Sequence, residues 1–237
     1  MKNFMTAHWG NLIMANYTVD PALLMPFLPR GLDLDLHAGM AYVSLVGFLF
    51  QDSRIFGVPV PFFGTFEEVN LRFYVSRKME GENRRGVVFI KEAVPNKIVT
   101  WLANTLYHEH YVTVPTRHAW KPADQEKFIQ YQWQVNHQWN SISVLAALEG
   151  RPMQGGSIEE FIFEHYYGYT KVNAETTEEY QILHPRWLTH EVKDYMIDCD
   201  FNSNYGKDFH FLQSRKPDSV MLAEGSAIEV KWKRNRI

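Results

Sequence analysis

The sequence predicts an α+β fold that is mostly antiparallel β, a closed or nearly closed β-barrel with a central cavity and a few flanking helices. Three observations carry that expectation. Segments with a period of two outnumber segments with a helical period. Most connections between them are short enough for antiparallel pairing. Aromatic residues make up 15% of the chain, which suits strands and lined cavities. No stretch rich in Pro, Gly or Ser cuts the 237 residues in two, so residues 1–237 read as one domain. Closure is the natural solution because it removes exposed sheet edges.

The elements follow in order. "VDPALLMPFLPRGL" opens a short helix, with Asp20 as cap and Pro21 where its missing N–H does no harm; Pro29 and Gly31 stop it. "LDLDLHAGMAYVSLVGFLFQ" reads as a hairpin turning at Ala38-Gly39. Residues 51–64, with Gly57, Pro59, Pro61 and Gly64, read as a loop. A strand over 65–78 is followed by the turn "EGENRRG" and the partner strand "VVFIKEAV". "PNKIVTWLANTLYHE" is a helix opened by Pro95 and Asn96, with Ile98, Leu102, Thr105 and Leu106 at helical spacing. "HYVTVPTRHAW" returns to strand. "KFIQYQWQVNHQW" alternates Ile129, Tyr131, Trp133 and Val135 with Gln130, Gln132, Gln134 and Asn136, a strand with one buried face. "SIEEFIFEHYYGYTK" reads as a helix capped by Ser157 with Glu160 at the capping-box position. "EEYQILHPRWLTHEVKDYMI" gives two strands broken near Pro185, and "SVMLAEGSAIEVKWKR" a final hairpin or two strands turning at Gly225.

Bulk properties exclude several classes. A net charge of −3 leaves no electrostatic footprint for nucleic acid. The single cysteine, Cys199, rules out an intrachain disulfide or a cysteine metal cluster and fits a reducing cytoplasm. The N-terminus has no signal-peptide pattern. The longest apolar run, "AYVSLVGFLF", is too short to span a membrane. The expectation is a soluble cytoplasmic protein with no membrane or nucleic-acid partner, no metal and no cofactor, and with enough surface aromatics to allow a homodimer.

The most informative stretch is "TFEEVNLRFYV". At a period of two, Val69, Leu71, Phe73 and Val75 share one face, while Glu68, Asn70, Arg72 and Tyr74 share the other. The polar face fits a wet surface over a packed core, the commoner arrangement of antiparallel strands, and it also fits the wall of a ligand cavity. Glu68 and Arg72 stand roughly 13 Å apart along a regular strand, too far for a direct pair. In "YHEHY", His108 and His110 flank Glu109 and would share a face of a strand, as metal ligands or acid/base groups do, although helix ends attract histidine for dipole reasons alone. No HExxH spacing and no third ligand accompanies them. Lys91, in an otherwise apolar run, is either a strand-end lysine reaching solvent or a desolvated nucleophile for carbonyls. Gly-x-Ser-x-Gly, P-loop and dinucleotide fingerprints are absent. His165, His184, His190 and His210 are scattered, as structural histidines are.

Several stretches together resemble the YqjF-like family of uncharacterised bacterial proteins: "LLMPFLPRGLDLDLHAGMAYVSLVGF", the Glu68-x-Asn70-x-Arg72-x-Tyr74-Val75 strand, "GVVFIKEAV" with "WLANTLYHEHY", "IEEFIFEHYYGYTK" and "ILHPRW". The resemblance covers most of the chain. It implies the acetoacetate decarboxylase-like fold, an antiparallel barrel with a central cavity, and so favours the cavity for the polar face. In the decarboxylase the Schiff-base lysine follows the helix that here reads "WLANTLYHEHYVTV", and this stretch has no lysine after Lys97.

Three readings follow. The first is a barrel that binds a small anionic or carbonyl-containing molecule through Glu68, Asn70, Arg72 and Tyr74, with His108 or His110 near the mouth. The second is a lyase or hydrolase acting on a carboxylate or keto acid, with Glu68 as acid/base and Lys91 as nucleophile. The third is an interaction scaffold without a ligand.

Overall fold

A computed structural model describes residues 3–59, 64–122 and 124–237, with only the backbone at 233 and 234. The strands are β1 (Asn3–Val19), β2 (Asp33–Leu34), β3 (Ala41–Ile55), β4 (Val58–Pro59), β5 (Phe66–Met79), β6 (Glu82–Val94) and β7 (Tyr111–Thr113). They continue as β8 (Thr116–Pro122), β9 (Glu126–Val135), β10 (Gln138–Pro152), β11 (Tyr167–Lys171), β12 (Thr177–Leu183), β13 (Leu188–Asp198) and β14 (Ser219–Arg236). The α-helices are short: α1 (Pro21–Leu24), α2 (Lys97–Tyr107), α3 (Ile158–Phe163) and α4 (Phe201–Tyr205), the last followed by a 3-10 segment, Lys207–Ser214. The architecture is mostly antiparallel β with few helices, as the alternating segments predict. No helix among the described residues is long and apolar enough to cross a membrane.

All the strands belong to one sheet. Its path runs β1-β3-β5-β6-β11-β12-β14, and β14 also pairs with β1, so the path returns to its start. Among the described residues, only the β6–β11 and β6–β7 pairings are parallel. From β14 the sheet continues through β13, β10, β9 and β8, which fold over one side of the ring. Gly225 sits where β14 exchanges β13 for β12 as neighbour. It has φ +82°, and a Cβ there would lie 1.9 Å from the Trp9 carbonyl oxygen. Only glycine allows this approach, and the residue bends one long strand instead of turning a hairpin.

The predicted starts of helices hold. The Asp20 carboxylate accepts from the Ala22 N–H at 2.8 Å, and the Asn96 side chain accepts from Ile98 and Val99. Ser157 Oγ accepts from the Glu160 N–H at 3.2 Å. Other expectations fail for physical reasons. The first arm of the predicted hairpin at Ala38-Gly39 is only β2, and it pairs with β5, because both edges of β3 are taken by β1 and β5. The loop expected over 51–64 is strand to Ile55, then a tight turn at Phe56-Gly57 into β4; residues 60–63 lie outside the described residues. The helix from Ser157 stops at Phe163, and Tyr167–Lys171 is strand, in keeping with its β-favouring tyrosines. Asn136-His137 forms a turn with φ of +50° and +64°, so the strand expected to reach Trp139 reverses there into β10.

Two buried clusters fill the two sides of the sheet. Val69, Leu71, Phe73 and Val75 belong to one, with Ile129, Tyr131 and Trp133 of β9, Ile142 and Val144 of β10, and Phe201 and Phe209. The apolar face of β5 therefore packs chiefly on the β9–β10 hairpin. The other cluster holds Leu12, Phe48, Phe50, Phe66, Tyr74 and Phe89, together with Phe161 and Phe163 of α3.

Candidate functional site

On the second side, β5 presents Phe66, Glu68, Asn70 and Arg72 to a pocket of about 110 Å³. Antiparallel register brings Glu92 of β6 opposite Asn70, and parallel register brings Tyr111 of β7 beside Glu92. Facing residues share a side of a sheet, so three strands deliver Glu68, Asn70, Glu92 and Tyr111 to one place. Trp9, Phe48, Phe50, Phe66 and Phe89 form the apolar wall, and Val99, Leu102, Ala103 and Tyr107 of α2 cover it. Tyr180 of β12 and Glu109 complete the polar end. Gly168 is what lets Tyr180 lie there: a Cβ at that position would sit 2.1 Å from the Tyr180 ring.

The carboxyls are nearly sealed from water. Glu68 is 2% exposed, Glu92 1% and Glu109 6%. Tyr111 Oη donates to Glu68 Oε2 at 2.9 Å, and Asn70 Nδ2 donates to Glu68 Oε1 at 2.9 Å. Tyr180 Oη donates to Glu109 Oε1 at 2.7 Å. Burial pushes the Glu68 pKa up to about 7, although the Asn70 and Tyr111 hydrogen bonds and the Arg72 charge oppose it. Burial also pushes Glu109 up to about 7 against its bond from Tyr180. Glu92 is raised well above the ordinary carboxylate value, by burial first and then by the charges of Glu109 and Glu68. Near neutrality the site therefore holds protonated and ionised carboxyls side by side, the condition for general acid–base work.

Arg72 is half-buried, and among the described residues it has no ion-pair partner. Its Nη2 reaches only the Met14 sulfur and the Ile162 carbonyl oxygen, each at 3.4 Å. Five buried polar atoms of pocket residues have no partner among the described residues: Trp9 Nε1, Ser53 Oγ, Asn70 Oδ1, Arg72 Nε and Glu92 Oε2. Orphaned buried groups each cost free energy, and five around one hollow leave donors and acceptors ready for a guest.

Not every predicted site residue arrives. Glu68, Asn70 and Arg72 line the pocket. Tyr74 shares their face but lies deeper, buried against Phe161 and His165 with its hydroxyl 2.6 Å from Ser44 Oγ. His108 and His110 are not among the residues lining the pocket. His108 takes the left-handed conformation that ends α2, and its Nδ1 lies 3.1 Å from Glu178; His110 is exposed. The alternation through 107–111 turns the histidines outward and Tyr107, Glu109 and Tyr111 inward. Lys91 lies elsewhere as well. It pairs with Leu71 on the opposite face of the sheet, and its Nζ donates to the Asn204 carbonyl oxygen. Burial lowers its pKa, yet it does not line this pocket. Sequence reasoning missed Glu92, Glu109, Tyr111 and Tyr180 as site residues. The signal available for two of them was the second phase of "YHEHY".

Comparison with known proteins agrees with this architecture. The family DUF2071, described as an uncharacterized conserved protein, matches residues 6–227. The uncharacterized protein YqjF of Bacillus subtilis (strain 168) is 30% identical over 104 residues, which is 44% of this chain and 41% of that protein's length. An acetoacetate decarboxylase-like enzyme from Sphingomonas wittichii RW1 superposes with TM-score 0.68 at 11% identity, over 100% of this chain and 94% of that one. The enduracididine biosynthesis enzyme MppR, in complex with pyruvate, superposes with TM-score 0.64 at 13% identity, over 100% of this chain and 91% of that one. At such identities the superpositions show a shared acetoacetate decarboxylase-like fold and no more.

Proposed function

The chain belongs to the DUF2071 family of uncharacterized conserved proteins, and on that premise we propose that its ring of strands is a closed barrel whose interior binds a small carbonyl compound with an anionic head. The observation that carries this reading is the convergence on one aromatic-walled hollow of Arg72, which among the described residues has no ion-pair partner, and of five orphaned buried polar atoms, its own Nε among them. A guanidinium freed of carboxylates favours a carboxylate guest through parallel hydrogen bonds. Glu92, whose Oε2 has no partner among the described residues, and Tyr111 suit a carbonyl oxygen, because a neutral carboxyl and a hydroxyl both donate. Trp9, Phe48, Phe50 and Phe66 suit an apolar body. Pyruvate, which MppR holds, is a small member of that ligand class.

The second reading, catalysis on a keto acid, gains from the three protonatable carboxyls. Nothing supports its imine form, since no lysine is among the described residues lining the pocket. Calorimetric titration with phenylpyruvate and with phenylacetone, which lacks the carboxylate, tests the binding reading. The acid binds at least about tenfold more tightly, and Arg72→Gln removes the difference. Equal affinities in the unaltered protein would contradict the assignment of Arg72.

A further inference from the structure

We propose that this pocket catalyses proton transfer at the carbon next to a carbonyl, interconverting keto and enol forms of a small 2-oxo acid without an imine. The proposal rests on the binding reading above and adds a reaction to it. Three observations carry it. Tyr111 stands beside two carboxyls: its hydroxyl donates to Glu68 at 2.9 Å, and strand register sets it next to Glu92. Glu92, 1% exposed, keeps Oε2 on the pocket wall without a partner among the described residues. Asn70 holds the other oxygen of Glu68 while its own Oδ1 stays orphaned, which fixes the orientation of Glu68.

The step balances with no co-reactant. With Arg72 holding the carboxylate, ionised Glu68 takes a proton from the methylene carbon. The C–H electron pair becomes the C=C bond, and the carbonyl π pair moves to oxygen. Neutral Glu92 donates its Oε2 proton to that oxygen, giving the enol and leaving Glu92 ionised. The proton on Glu68 then passes through the Tyr111 hydroxyl to Glu92, which restores both groups. Apolar surroundings that keep one carboxylic acid neutral beside an ionised one are what such a reaction needs. The groups facing the relay are Arg72 from β5, Tyr107 from α2, Glu109 and Tyr180. Arg72 favours ionised Glu68 and ionised Glu109 favours neutral Glu92.

Proton NMR in deuterium oxide, following loss of the methylene signal of phenylpyruvate, reads the reaction, and calorimetry on the same samples reads binding. The unaltered protein accelerates exchange over buffer. Glu68→Gln lowers the protein-dependent rate about 10²-fold or more, while phenylpyruvate affinity changes by less than about tenfold. Tyr111→Phe lowers the rate about 10-fold or more and flattens its pH profile. Should Glu68→Gln not fold, Glu68→Asp serves, with the same slow exchange expected from its shorter reach. Binding without accelerated exchange overturns this proposal and leaves the binding reading standing. Neither binding nor exchange overturns both. Exchange that survives unchanged in Glu68→Gln and Glu68→Asp also overturns it.

Discussion

On one face of β6, Lys91 donates to the Asn204 carbonyl oxygen, and the Asn204 side chain accepts from Trp133 Nε1 at 2.6 Å and donates to Asn140 at 2.9 Å. Asn140 in turn accepts from the Asp200 N–H at 2.9 Å. No buried polar atom of that cluster is left without a partner. On the other face of the same strand, Glu92 keeps an orphaned oxygen beside the orphaned Asn70 Oδ1 and Arg72 Nε. Burial is similar on both faces, with Asn204 4% exposed and Asn70 1%. What differs is completion. A satisfied buried network specifies packing, whereas an unsatisfied one costs stability and is the expected condition of a site waiting for a ligand. The comparison separates polar residues that hold the fold from those that meet a guest.

The largest expected effect lies on the completed face. Asn204→Ala strips Trp133 of its acceptor and leaves a gap, and should cost about 2–4 kcal/mol in urea unfolding. Phenylpyruvate affinity should stay within about threefold, because Asn204 lies across the sheet from the pocket. A loss of affinity larger than the loss of stability would break the distinction between the two faces.

A smaller effect, of a different sign, belongs to the open face. The folded-state pKa of Glu68, about 7, lies above its ordinary value of 4.5. Its contribution is therefore fully present below about pH 4.5 and is lost as pH rises through 7. Glu68→Gln cannot ionise and loses nothing over that window. Relative to the unaltered protein the variant should gain about 2–3 kcal/mol between pH 5 and pH 8. Urea unfolding at the two pH values measures this. A variant that loses ground as pH rises would mean that Glu68 is stabilised as a carboxylate and that the open face is wetter than its burial indicates.

The smallest effect concerns Lys91. Lys91→Met should leave phenylpyruvate affinity and exchange unchanged, and borohydride added with acetoacetate should trap no adduct on the unaltered protein. An adduct at Lys91, found by peptide mass mapping, would place its amine in the pocket and overturn the separation of the two faces.

Much of this arrangement was legible in the sequence, strand by strand. The alternation over Glu68, Asn70, Arg72 and Tyr74 set the polar face of β5, and the caps at Asp20, Asn96 and Ser157 marked the starts of three helices. Glu92, Glu109 and Tyr180 were not legible as partners of that face, because strand register arises between segments distant in sequence. The phase of 107–111 was not legible either. It depends on the left-handed His108 that ends α2, a conformation which side chains other than glycine rarely announce. β10 escaped because the turn before it, Asn136-His137, carries no glycine. Lys91 and Arg72 fall on opposite faces through a bulge, since Leu71 pairs with Lys91 but Arg72 with Phe89.

A crystal structure of the protein grown with phenylpyruvate tests the central claim most directly. The account predicts the carboxylate within hydrogen-bond distance of Arg72, the carbonyl oxygen facing Glu92 and Tyr111, and the ring against Trp9 and Phe48. A ligand seated outside the ring of strands, with Glu68, Asn70 and Arg72 untouched, would contradict it.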